Sequence, residues 1–190
     1  LAIMGLSGKS IQDQASFLTG KLGEQVFDQR LTIVDDHTNP HTVSLPFDFE
    51  GSVRQPVTII DHGVAKGVVH DLASAERAGV PSTGHSVNMP QFGGVPLHIV
   101  VEGGDQTLEE IIKNTQEGIL ITRFHYVNPV NPREAALTGL TRDGVFQVKD
   151  GQIVGAVRNM RFTDSLLRAF NNIEAISSDR QRTRSFIGNY

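Results

Sequence analysis

Between Ser10 and Arg30 the apolar residues Ile11, Ala15, Phe17, Leu18, Leu22 and Val26 recur near helical spacing. This predicts a helix, interrupted by Gly20 and Gly23. LTIVDD, 31–36, reads as a strand. HTNPHTVSLPFDFEG carries two prolines and little periodicity, so it predicts a long loop, a kind of segment that often carries function. PVTIIDHGVAKGVVHDL joins two apolar runs through Asp61-His62-Gly63, a hairpin signal. LASAERAG predicts a short helix ended by Gly79, followed by a second loop rich in Gly, Pro and Ser, VPSTGHSVNMPQFGGVP.

LHIVVEGG is apolar on both faces at its centre and predicts a strand. In TLEEIIKNTQEG, Thr107 can cap a helix, Glu110 can close a capping box, and Gly118 can end it. ILITRF predicts a strand and VNPVNPREAAL a turn-rich connection. GVFQVKDGQIVGAVRN predicts a hairpin, because Asp150-Gly151 suits a two-residue turn with positive φ. Thr163 to Ile176 predicts a closing amphipathic helix built on Leu166, Leu167, Phe170 and Ile173. About eight short strands and three or four helices, without βαβ alternation, predict an α+β domain with mixed, mainly antiparallel sheets and hairpins.

Composition narrows the class. The chain has 190 residues, 38% hydrophobic and 20% charged, which suits one soluble domain with a sizeable core. No apolar run reaches the roughly 20 residues of a membrane helix, so no membrane partner is expected. A net charge of −4 makes a dedicated nucleic-acid partner unlikely as a class. With no cysteine in the chain, disulfides, thiolate metal sites and a catalytic Cys are all excluded within it. A cytoplasmic protein is the plain reading. The chain starts at Leu1, in mid-element, which suggests a fragment or processed chain.

Candidate chemistry is sparse. GLSGKS resembles a phosphate loop, yet Gly5 lies only three residues before Gly8, two short of what encircling a phosphate requires. His37 and His41 stand four apart, but Pro40 between them argues against a helix; a loop metal site with Asp35 and Asp36 stays open beside a solvated turn. His62, His70, His85, His98 and His125 are scattered, without a nucleophile elbow. Within its apolar strand, His98 reads as a hydrogen-bonded core or sheet residue. Arg180, Arg182 and Arg184 read as a solvated face, or as a phosphate or nucleic-acid contact.

Read in order, several stretches resemble the C-terminal half of the TldD/PmbA family (peptidase U62), zinc metallopeptidases with an older label as modulators of DNA gyrase. They are GLSGK, SFLTGKLGEQVFDQRLTIVDD, PFDFEG, GVAKGVVHDLASAERAGVPSTGH, LEEIIKNTQEGILITR and GVFQVKDGQIVGAVRNMRFTDSLLRAFNNIEAIS. They run collinearly over nearly all of residues 1–190, so the resemblance implies a single TldD/PmbA-like C-terminal domain without its N-terminal partner domain. In the catalytic branch, His-Glu-x-x-x-His on a helix runs straight into Gly-Leu-x-Gly. Here that trailing segment is Gly5 to Gly8, and the second His position is Met4, a thioether and a poor zinc ligand.

The resemblance implies a PmbA/TldE-like subunit without catalytic residues and without a metal in this chain. Zinc is expected in a TldD-type partner subunit. A heterodimer with that subunit, or a homodimer, would enclose a chamber for unfolded peptides, held along a sheet edge by backbone hydrogen bonds. Ser82, Thr83, Gly84, His85, Thr122 and Arg123 match recurrent family segments and are the candidates for lining the chamber or the subunit contact. The rival reading of those positions is a tight turn and a strand end. Two other functions stay open: an independent metal-dependent hydrolase using the loop His/Asp site, and a DNA- or gyrase-associated module using the three arginines.

Overall fold

Strand β1 (Ile33–Asp35) lies inside a four-stranded antiparallel sheet of order β3-β2-β1-β4, with β2 (Val57–Asp61), β3 (Val64–Ala65) and β4 (Ile99–Val101). The structure, a computed structural model, describes residues 5–182. The predicted turn joins β2 to β3, with His62 and Gly63 both at positive φ. Helix α1 (Gly8–Gln12) and helix α2 (Leu72–Ala78) pack against each other, with Gln12 Nε2 donating to Ser74 O at 2.8 Å. Asp71 caps α2, and Gly79 in the left-handed region ends it.

Helix α3 (Leu108–Asn114) carries the expected capping box, with Thr107 and Glu110 bonding each other's backbone N–H. It leads into a second antiparallel sheet made of β5 (Glu117–Asn131), β6 (Ala136–Lys149), β7 (Gln152–Ala156) and β8 (Arg161–Ser165). β6 is the centre of this sheet, paired along its length with β5 and on its other side with β7 and β8. The turn between β6 and β7 is Asp150-Gly151, at φ 48° and 75°. Helix α4 (Leu166–Asn171) closes the order.

One apolar cluster joins the parts. Phe17, Leu18, Phe27, Leu31, Ile33, Ile59 and Ile60 are buried, and Leu166, Leu167 and Phe170 of α4 pack against them. The Phe27 and Phe170 rings meet edge to face at 5.3 Å. No helix among the described residues is long and apolar enough to cross a membrane.

The α+β class and the hairpins match the sequence reading; α3 ends at Asn114 with Thr115 as its C-cap, so Gly118 lies in β5 instead of ending the helix, and three further elements differ. The helix expected over 10–30 is only α1, because Gln14 turns to φ 55°. Phe17 and Leu18 reach the core from a turn instead, and Val26 from irregular backbone. The turn-rich stretch after residue 126 belongs to β5, which runs on through Pro129 to Asn131. β5 is an edge strand, where a missing proline N–H breaks no ladder bond. Lastly, residues 163–165 extend β8 against β6, so the closing helix starts only at Leu166.

Leu18 is fully buried. Leu18→Ala is expected to lower stability by about 2–5 kcal/mol, and Thr107→Ala by about 1 kcal/mol, both read from urea unfolding midpoints.

Candidate functional site

The turn at 82–86 wraps the backbone of His70. The His70 carbonyl lies 3.3 Å from the donating Thr83 and His85 amides and the Ser82 hydroxyl, and 3.1 Å from the Thr83 hydroxyl. In return the His70 amide donates to Thr83 Oγ1 at 2.7 Å. The other side of His70 faces the N-terminal segment. Gly8 N donates to Val69 O at 2.9 Å and Val69 N to Leu6 O at 3.0 Å. A Cβ at Gly8 would fall inside the His70 imidazole, so only glycine permits this approach. The His70 ring contacts the Ser74 hydroxyl at 3.2 Å. Burial pulls its pKa below the usual value despite opposing help from Ser74 and Asp71, so the ring is neutral at pH 7.

Beneath the turn lies a buried carboxylate–imidazole pair. His85 Nε2 donates to Asp35 Oδ1 at 2.9 Å, and both side chains are wholly buried. The backbone N–H of His98 donates to Asp35 Oδ2 at 2.8 Å. Burial alone would raise the Asp35 pKa. The hydrogen bonds from His85 and His98 outweigh it and hold the carboxyl far below the usual carboxylate range. The pair ties β1, in the sheet centre, to the turn.

A second buried carboxylate holds the adjoining loop. Asp48 accepts from Glu50 N and Ser52 N through Oδ1 and from Ser86 N through Oδ2, each at 2.9 Å. This loop is patterned inside out: Asp48 and Arg54 are 4% and 1% exposed, whereas Phe47, Phe49 and Val53 are 61%, 67% and 68% exposed.

Of the residues singled out from sequence, Ser82, Thr83, Gly84 and His85 come together in the turn. The two hydroxyls are engaged on His70, Gly84 approaches the backbone of Val53 and Arg54, and His85 is inaccessible to solvent. Thr122 and Arg123 sit apart, at a bulge in β5. There Thr122 Oγ1 donates to Gly144 O at 3.0 Å and Arg123 pairs with Asp143 at 2.9 Å. Arg180 pairs with Glu102 at 2.6 Å. Arg182 is exposed, and Met4 and Arg184 lie outside the described residues.

The proposed loop metal site is not assembled. Asp36 bonds Thr38, His41 is exposed, and Asp35 is committed to His85 and His98. His37 does lie beside His98, ring centroids 6.4 Å apart. Among the described residues no three His, Asp or Glu side chains converge as metal donors, so the donor set does not fit a zinc ion. The Asp35–His85–His98 group and the inward Arg54 were not picked out from sequence. The alternation in PFDFEGSVRQ, with charges set between phenylalanines, is the one local signal that could have pointed to Asp48 and Arg54.

Because the Asp35 pKa is depressed in the fold, its contribution to stability is present above about pH 4 and is lost as pH falls below that. Asp35→Asn is expected to cost roughly 3–5 kcal/mol at pH 7 and to flatten the loss of stability between pH 4 and 2. Thermal unfolding across that range checks both.

The family model described as the PmbA/TldA metallopeptidase C-terminal domain matches residues 1–189. Metalloprotease PmbA of Escherichia coli O157:H7 is 28% identical over 188 residues, 96% of this chain and 38% of that protein. A metalloprotease TldD homolog of Buchnera aphidicola is 27% identical over 180 residues, 92% of this chain and 37% of that protein. TldE from Thermococcus kodakarensis, a crystal structure, shares the fold with a TM-score of 0.82 at 24% identity, over 93% of this chain and 40% of its own. The chain thus spans less than half the length of each, and the near-equal identities to PmbA and TldD proteins do not by themselves separate the two branches. With a family model matched over residues 1–189, this chain belongs to the PmbA/TldA metallopeptidase C-terminal domain family.

Proposed function

We propose that the chain is the C-terminal domain of a PmbA/TldE-type subunit that supports, without itself performing, the zinc-dependent cleavage of unfolded peptides by a TldD-type partner. The observation that carries this reading is Met4. It stands where the catalytic branch has its second histidine, directly before the Gly-Leu-x-Gly segment, and a thioether is a poor ligand for zinc.

The segment after Met4 in sequence gives the proposal a structural role. It is pinned to Val69 and His70, and the 82–86 turn clasps His70 from the opposite side. The turn residues therefore act as the rear support of the surface that the catalytic branch uses for metal, and Ser82 and Thr83 form the part nearest solvent. Thr122 and Arg123, on the edge strand β5, suit an extended peptide or a subunit contact, because an edge strand offers unpaired backbone groups.

The test uses the full-length protein that carries this domain, alone and mixed with a TldD-type subunit from the same source. Bound zinc and cleavage of an unfolded protein are both measured. The expected result is no zinc and no cleavage alone, with cleavage only in the mixture. Stoichiometric zinc together with cleavage by the protein alone would overturn the proposal.

A further inference from the structure

Among the described residues Arg54 is the largest fully buried side chain, and its Nε, Nη1 and Nη2 find no acceptor there. A guanidinium keeps its charge and its five N–H donors at any pH at which the protein is folded. Buried donors are nearly always bonded, so something must receive these. Its charged neighbours are Asp35 and Asp48, whose attraction opposes the effect of burial on it.

Counting acceptors decides what that something is. A carboxylate offers about four lone-pair sites. Asp48 already accepts from Glu50, Ser52 and Ser86, and Asp35 from His85 and His98. Roughly three sites remain for five donors. His98 Nδ1, 3.6 Å from Asp35 Oδ1, and His37 Nδ1 are also buried without a partner. An anion does not suit a cluster that already holds two carboxylates, and a cation does not suit a guanidinium. Water suits both, because it accepts from the guanidinium and donates to carboxylate and imidazole.

We propose that Arg54, Asp35 and Asp48, with His37 and His98 at the Asp35 end, line an internal water-binding site, and that bridging water ties the inside-out loop to β1 and to the 82–86 turn. This accounts for the reversed pattern of the loop. Its charges face inward because the hydrated cluster is their solvent, which leaves Phe47, Phe49 and Val53 outside. Arg54 is thereby a positioning residue for the turn, and the inference holds whether or not the subunit supports a peptidase.

The test is a crystal structure of the full-length protein at a resolution that shows water, with unfolding equilibria of three variants. Ordered water within about 3.2 Å of Arg54 nitrogens, bridging to Asp35 or Asp48, is expected. Arg54→Met should lower the folding equilibrium constant by roughly tenfold or more, since it removes a buried positive charge that offsets two buried carboxylates. Arg54→Lys should lose less, and Arg54→Met with Asp48→Asn should recover part of the loss. A guanidinium bonded wholly to protein, swung into solvent or holding an anion overturns the proposal. So does an Arg54→Met variant as stable as the parent.

Discussion

The carboxylate of Asp35 is the point on which the rest of the domain turns. It is charged, wholly buried, and placed in a strand that has neighbours on both sides. An isolated ion in that position would be strongly unfavourable, so the chain must bring donors to it. They come from distant positions: His85 from the turn and His98 from the residue just before β4. Asp48 repeats the arrangement one layer out, holding Ser86 and its own loop. Two loops without regular structure are thus fixed by a few charge-assisted bonds, which are about twice as strong as neutral ones.

That arrangement gives the family membership a physical meaning at residue level. The segment at Gly5–Gly8 lies on Val69 and His70, and the same His70 carbonyl gathers the turn. The N-terminal segment, the 82–86 turn and strand β1 are therefore linked in one chain of hydrogen bonds through His70, His85 and Asp35.

Legibility from sequence followed locality. The capping box of Thr107 and Glu110, the Asp150-Gly151 turn and the Gly79 helix end are decided within four or five residues, and each was readable. The 10–30 stretch was misleading because periodic apolar residues mark what is buried, not which backbone buries it. Phe17 and Leu18 are in the core from a turn. Pro129 was misleading for the opposite reason. A proline breaks a strand only where its N–H would be used, and the edge position of β5 is a fact about neighbouring strands.

The sequence by itself determined the α+β class, the hairpins and their turns, the absence of thiol chemistry, and the thioether at position 4, because each depends on residue type or on short-range backbone geometry. Only the tertiary structure decided that Asp35, His85 and His98 meet, that Asp48 and Arg54 face inward, and that His37 and His41 do not share a site. The reason is desolvation. Whether a charge is solvated or must find partners depends on which segments cover it, and those segments lie 50 and 63 residues away along the chain.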